Sequence, residues 1–420
     1  MFRSGRKNIS KREQANGVSA SPMLSYQEAF EKIIENSLPL RPARVPLKES
    51  IGLIAAEDMV SREPFPCFDN SAVDGYALSQ IEDPRDLLTI QGEVPAGEVF
   101  KGRLRPGHAV QIFTGAPLPA GTGSVVMQEH TERANGTLRL LKTPKPGENI
   151  RFRGEDFQKD RVLVRKETLL QATHLALLAA VGHTQVLVQP SPRVAILATG
   201  SELSGVKGRP RPGKIRDSNT IFLEMLVRQA GGKPFPLPHV GDIPRNIRAA
   251  VRKGLQSDLF VISGGVSVGK YDFVKEALRQ EGVREIFWKV NIKPGKPIFF
   301  GKKKRTLVFG LPGNPVSVFV TFEEFVKPAI LRMLKRPEAC ERWIQGNLTK
   351  GFQNGSRLHF ARVRCLSGKS SYKILPLKGQ GSHQIGELAA ANALLRVEPN
   401  AVLKKGQRVS VKMINKEPLS

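Results

Sequence analysis

The chain has 420 residues, with Lys+Arg 65 against Asp+Glu 38 and a formal net charge of +27. At about 100–200 residues per domain, that length excludes a single compact domain. The charge points to anionic partners. However, aromatics are only 6%, no zinc-finger, helix-turn-helix or RNA-binding aromatic signature occurs, and no apolar run approaches the roughly 20 residues of a membrane span. No specific nucleic-acid recognition and no membrane span are therefore expected.

Residues 1–22 read as a disordered basic tail without the apolar segment of a secretory signal. Cys67, Cys340 and Cys365 show neither ligand spacing nor a paired framework, which fits a reducing cytoplasm. "SYQEAFEKIIENSL" (25–38) carries apolar residues at helical spacing behind a serine cap. From 61 to 150, short alternating runs separated by Gly and Pro, such as "LLTIQGEVPAGEVF" and "GSVVMQEH", predict a β-rich domain. "ETLLQATHLALLAAVG" (167–182) predicts a helix ended by glycine. Residues 23–60 and 151–190 are thus expected to form a discontinuous linker and helical domain.

From 191 to 336 strands and helices alternate. "RVAILATG", "KPFPLPHVGD", "SDLFVISGG", "IFWKVNIKPG" and "TLVFGLPG" read as strands, and the segments between them as helices. The last helix, "NPVSVFVTFEEFVKPAILRMLK", is expected to be long. Such alternation predicts a doubly wound, mostly parallel α/β domain. Residues 340–418 return to short strands, "LHFARVRCL", "YKILPL" and "QRVSVKMI", and predict a small C-terminal β domain.

In open α/β sheets, ligands bind beyond the carboxyl ends of the strands. Here those ends are "ATGSE" (198–202), "VGD" (240–242), "SGGVSVGKYD" (263–272) and "LPGNPVS" (311–317). Ser263, Gly264, Gly265 and Ser267 would let amides and hydroxyls approach an anion, or would form an ordinary glycine-rich turn. Pro312, Gly313 and Asn314 shape a turn in which Asn314 caps a helix begun by Pro315, or leaves amides free for a phosphate. In "WKVNIKPGKP", Lys289, Asn291 and Lys293 share one strand face and Val290 and Ile292 the other, with Lys296 brought near by the Pro294–Gly295 turn. That is either a solvated edge strand or a clamp for an oxyanion.

Glu202, Asp242 and Asp272 lie on the same edge; Asp74 and Asp156 lie outside the domain. A hard cation such as Mg²⁺ takes one or two carboxylates plus substrate phosphates, although each acid taken singly also suits a turn or a cap. None of the seven histidines pairs at ligand spacing, which argues against catalytic zinc.

Nine stretches occur in one order: "FDNSAVDGYA", "VPAGE", "IFTGAPLPAG", "VVMQE", "IRFRGED", "ATGSEL", "SGGVSVGKYDF", "WKVNIKPGKP" and "LPGNPVS". From about residue 24 onward the chain resembles the molybdopterin molybdenumtransferases of the MoeA type, a family that includes the E domain of gephyrin. The resemblance implies Mg²⁺-dependent hydrolysis of adenylylated molybdopterin, with molybdate as metal donor and AMP and molybdenum cofactor as products. It also implies a homodimer with its cleft shared between subunits, a molybdopterin adenylyltransferase upstream, and molybdoenzymes or cofactor carriers downstream.

The positions implied at the cleft are Asp74, Thr114, Asp156, Glu202, Asp242, Asp272, Lys289 and Lys293. Asp272 with Asp242 would organise the metal, the lysines would hold oxyanion or phosphate oxygens, and Glu202 would orient the pterin or an attacking water. Asp69 and Asn70 would hold the turn around Asp74. Lys270, Asn291, Gly386 and Glu387 depart from the family pattern. The alternatives are a tungsten-preferring paralogue, a carrier or scaffold without turnover, and an adenylyltransferase.

Overall fold

The computed structural model describes residues 23–79, 87–265, 273–336, 342–368 and 371–414. The chain divides into two units, Ala43–Val188 and a larger one made of Met1–Pro42 with Gln189–Ser420.

In the larger unit a six-stranded sheet runs Lys233–Pro236, Arg193–Ala198, Leu259–Ser263, Thr306–Leu311, Phe299–Lys303, Arg284–Trp288. The first four strands are mutually parallel and the last two antiparallel. The strand Arg193–Ala198 explains the layers. Val194 and Ile196 pack with Leu223 and Val227 of the helix Ser218–Gln229, whereas Ala195 and Leu197 pack with Ile247, Val251, Ala277 and Leu278 of two other helices. A strand apolar on both faces needs cover on both, and helices supply it. The doubly wound α/β expectation therefore holds.

The expected long helix after "LPGN" is interrupted. Pro315–Thr321 passes through a π turn, Phe322–Val326, into Lys327–Met333. Pro328 has no amide hydrogen, and its ring would crowd the carbonyl of Glu324, so the backbone widens just before it. The widened turn buries two acids. Glu323 pairs with Lys327 at 2.7 Å, and Glu324 pairs with Lys412 at 3.2 Å and accepts from the Tyr26 hydroxyl at 2.9 Å. Tyr26 opens the helix Tyr26–Asn36, whose Ser25–Glu28 capping box is complete.

The C-terminal strands close on themselves. Leu358–Leu366 pairs with Tyr372–Pro376 and Ala393–Val397, Arg408–Met413 pairs with Ala393–Val397 and Trp343–Leu348, and Trp343–Leu348 returns to Tyr372–Pro376. The result is a small barrel without free edges along those strands. The short strand Ile292–Lys293 joins it beside Leu358–His359.

In the smaller unit a six-stranded sheet is ordered Ser124–Met127, Gly75–Leu78, His108–Ile112, Leu87–Val94, Thr137–Leu140, Thr131–Ala134. At Gly75 an added Cβ would lie 1.9 Å from the Val126 carbonyl oxygen, so only glycine fits there. The helix expected over 167–182 is confined to Ala172–Ala180. Glu167 has φ +68°, and Ala55 N–H donates to Thr168 O while Leu170 N–H donates to Leu53 O, so this start of the segment is spent on extended pairing. No helix among the described residues is long and apolar enough to cross a membrane.

The Glu324–Lys412 pair sets a stability expectation. Both side chains are at most 6% exposed, so Lys412→Met leaves a buried carboxylate without its cation and costs about 3–5 kcal/mol in urea denaturation. Adding Glu324→Gln, which keeps an acceptor for Tyr26, should recover more than half of that loss.

Candidate functional site

Three parallel strands stop on one line: Ala198 is paired with Ser263 and Ser263 with Leu311. Immediately beyond, Thr199 N–H donates to Ser263 O at 3.0 Å and Gly264 N–H to Leu311 O at 3.1 Å. Gly264 and Gly265 then adopt φ +88° and +63°. A Cβ on Gly264 would lie 2.5 Å from Thr199 O, and one on Gly265 2.5 Å from Val274 Cγ2. The turn therefore needs both glycines, for conformation and for space.

Asn219 ties these turns together. Its Nδ2 donates to Ser263 Oγ at 3.0 Å and to Gly313 O at 2.7 Å. It sits in the first turn of a helix capped by Asp217, whose Oδ1 accepts from Thr220 N–H at 3.0 Å. Asn219 Oδ1 and Thr199 Oγ1 are buried with no hydrogen-bond partner among the described residues. Buried polar atoms are nearly always paired, so the strand edge holds two unsatisfied groups. Ser267, Lys270 and Asp272 lie outside the described residues.

Asp242 and Ser201 brace each other across two strand ends. Ser201 N–H donates to Asp242 Oδ2 and Asp242 N–H to Ser201 Oγ, both at 2.9 Å. Glu202 is exposed and folds its carboxylate over Gly200, 2.4 Å from where a Cβ would stand. Among the described residues no three His, Cys, Asp or Glu side chains converge as a metal cage.

Pro312 is buried, while Gly313 and Asn314 are exposed. Asn314 occupies the N-cap position before Pro315, but its side chain makes no capping bond. Its Nδ2 instead donates to Ser382 Oγ at 3.0 Å, and Val316 N–H to Ser382 O at 3.1 Å. The capping expectation for Asn314 is corrected: the side chain docks the 379–384 loop against the α/β domain.

The lysine run is not one strand. Arg284–Trp288 ends before Lys289, which has φ +79°, and apart from a single bridge between Val290 and Leu24 the next strand is Ile292–Lys293. The break lets Val290 N–H reach Lys296 O, and lets Lys289 O and Asn291 N–H bond Leu24 at 3.3 and 2.8 Å. Val290 and Ile292 are fully buried, so the inside–outside alternation survives. Lys296 is exposed and Lys293 half-buried.

Lys293 belongs to a buried basic cluster that sequence reasoning missed. Its strand partner His359 is 2% exposed, and burial, reinforced by Lys293, Arg362 and Arg357, pushes the imidazole down to about 4. Arg362 is fully buried. Its Nη2 donates to Gly379 O at 2.6 Å and Gly381 O at 3.2 Å, but Nε and Nη1 have no partner among the described residues. Burial lowers its pKa, and Glu387 offers a partial electrostatic offset. A signal existed in the strand alternation: Ala361, Val363 and Cys365 fill the barrel, so Arg362 faces away from that core.

The smaller unit carries Asp74, Thr114 and Asp156. Asp74 Oδ1 accepts Thr114 N–H at 2.7 Å and Thr114 Oγ1 at 2.8 Å, and these bonds, the backbone one foremost, hold its carboxyl below the usual range. Asp69 Oδ1 accepts Arg153 N–H at 2.7 Å, and Asn70 Nδ2 donates to Phe68 O at 3.1 Å, so these two residues shape the loop. Asp156 is exposed and borders a cavity of about 610 Å³ lined by Phe65, Cys67, Phe68 and Arg151 among others.

Two titrations follow. Thr114→Val removes the hydroxyl but not the amide, so the Asp74 carboxyl should move part of the way back up, read by its ¹³C shift against pH. His359 has a folded-state pKa below its unfolded value, so the fold disfavours the added proton. Stability should therefore fall as pH drops from 6.5 to about 4 and level off below. The loss is of order 3 kcal/mol, and denaturation of His359→Gln across that window should show it abolished.

Known proteins share this order of domains. The chain matches the MoeA N-terminal region (domain I and II) over residues 24–182, a probable molybdopterin binding domain over 195–332 and the MoeA C-terminal region (domain IV) over 345–414. It is 34% identical to the molybdopterin molybdenumtransferase of Haemophilus influenzae, over 94% of this chain and 99% of that one. With the Nostoc sp. molybdopterin molybdenumtransferase the identity is 38%, over 79% and 77%. The crystal structure of a molybdopterin biosynthesis MoeA protein from Pyrococcus horikosii superposes with a TM-score of 0.75 at 30% identity, covering 94% of this chain and all of that one. With matches that run from the first helix to the last strands, the chain belongs to the molybdopterin molybdenumtransferase family of the MoeA type.

Proposed function

We propose that the chain performs the final step of molybdenum cofactor synthesis, taking molybdate and adenylylated molybdopterin and releasing AMP and molybdenum cofactor. The observation that carries this reading is the buried Arg362 with Nε and Nη1 unpartnered, beside Lys293. Guanidinium N–H donors out of water, near an ammonium, favour a compact oxyanion. The pterin phosphates are assigned to the strand edge: Ser263, Gly264, Gly265 and Gly313 supply backbone room and the Thr199 hydroxyl a free donor, while Asn219 Oδ1, an acceptor, suits a donor group elsewhere on the substrate.

Mg²⁺ would be held by Asp242, whose bond from Ser201 engages only Oδ2, together with phosphate oxygens; Asp272 is read there from sequence alone. A donor set of one or two carboxylates suits a cation carried largely by its substrate. Bound there, the ion would neutralise charge developing on the phosphate during hydrolysis. Glu202, exposed at the same edge with no side-chain hydrogen bond among the described residues, would orient water. Lys289 and Lys296 add positive charge.

The same reading includes a cytoplasmic homodimer in which Asp74, Thr114 and Asp156 of one subunit complete the cleft of the other. It also includes an adenylyltransferase as the upstream donor and molybdoenzymes or carriers as recipients.

The test incubates purified protein with adenylylated molybdopterin, Mg²⁺ and molybdate, tungstate or neither, and follows AMP and cofactor. Oxyanion-dependent AMP release is expected; tight pterin binding without turnover would replace the transferase by a carrier. Arg362→Met should raise the molybdate KM by about 10–100-fold, the worth of charged hydrogen bonds lost from a buried site. Arg362→Lys should not rescue it, because an ammonium cannot donate to the Gly379 and Gly381 carbonyls and to a ligand from one planar group.

A further inference from the structure

Trp288 is the last residue of the edge strand Arg284–Trp288, and two ammonium groups lie against its indole. Lys275 Nζ is 3.7 Å and Lys289 Nζ 4.0 Å from the ring centroid. Two like charges so close to one centroid repel on a shared face, which assigns them to opposite faces.

The two lysines differ in their company. Lys275, on the helix Phe273–Gln280, also pairs with Glu285 Oε2 at 3.1 Å. Lys289 has no carboxylate and no hydrogen-bond acceptor at its ammonium among the described residues. Its backbone is held at φ +79°, a left-handed conformation that a lysine rarely adopts and that sets the direction in which its side chain leaves the strand.

We propose that Trp288 is a positioning residue for Lys289, its indole holding the ammonium in place while leaving the positive charge uncancelled for an incoming oxyanion or phosphate. This rests on the reading that Lys289 meets such an anion. The physical case is a comparison of partners. A carboxylate would hold the ammonium more firmly, but it would neutralise it and have to be displaced or outcompeted. Solvent would leave it mobile on four rotatable bonds. An aromatic face attracts the cation through its quadrupole and carries no net charge, so it restrains the group without consuming it. Lys275 on the other face, tied to Glu285, keeps the ring fixed from behind.

The test uses the full chain with Trp343→Phe, which leaves Trp288 as the only tryptophan of the two. Mono-, di- and trifluorinated tryptophan are incorporated in turn. Fluorine withdraws density from the ring face and scarcely changes its shape, so a packing role would not respond. Two readouts are followed: molybdate affinity by equilibrium dialysis, and the proton shifts of the Lys289 ε-methylene, assigned by their loss in Lys289→Met. The expected result is a stepwise weakening of molybdate binding with each fluorine, about tenfold across the series. Trp288→Phe should retain most of the affinity and Trp288→Leu should lose it. The ε-methylene should be shifted upfield by the ring in the parent protein and should relax in Trp288→Leu.

A flat series in a protein that binds molybdate overturns the proposal and leaves the role of Lys289 intact. An ε-methylene without the ring-induced shift overturns it as well. No molybdate binding by the parent protein, with the shift present, overturns the anion reading of Lys289 and removes the proposal with it.

Discussion

The common stopping line of three buried strands is the constraint on which the strand-edge site depends. Ala198, Ser263 and Leu311 are neighbours in register, and each strand is sealed on both faces by helices. Beyond that line the sheet can no longer satisfy amides and carbonyls, so the turns must bond one another or a ligand. Thr199, Gly264 and Asn219 do the first, and two of their side-chain atoms have no partner among the described residues. Moving any one strand by a residue would invert its buried faces and misalign the turns together.

Charge is handled differently in each part of the larger unit. Glu324 and Lys412 are buried as a complementary pair and close a structural seam. Arg362 is buried with two carbonyls and, among the described residues, no carboxylate within pairing distance, and His359 beside it is kept neutral. Lys289 is left against an aromatic face. A paired buried charge is satisfied by the fold, whereas a lone one is tolerated only if something outside the fold completes it. Among the described residues Arg362 is of the second kind, whereas Lys289 is only half-buried and keeps part of its hydration.

Much of the architecture was legible because burial imposes simple periods on the sequence. "RVAILATG" and "SDLFVISGG" are unbroken apolar runs and became central strands, and "SYQEAFEKIIENSL" kept its cap and helical spacing. One failure is local, since Pro328 opens the long helix into a π segment, and the others come from contacts distant in sequence. Leu24 bonds the lysine segment on either side of Val290, where a straight strand was expected. Asn314 abandons its own helix for Ser382, 68 residues away, and Asn219 reaches Gly313 across 94. The glycine turns were readable from composition. The buried guanidinium was readable only in part: the alternation in "LHFARVRCL" turns Arg362 and Arg364 off the barrel core but does not say which of them loses water.

The first helix has a consequence for how the chain is made. Tyr26 bonds Glu324 across 298 residues and packs on Phe325 and Phe360, so this helix leaves the ribosome long before its partners exist. At about 5–20 residues per second the wait is roughly 15–60 s. The whole of Ala43–Val188 emerges in the meantime and can form its own core. Through that interval Ala29, Phe30 and Ile33 have no surface to cover them, which makes the amino-terminal helix a natural client for a nascent-chain chaperone and the last piece of the α/β core to be seated.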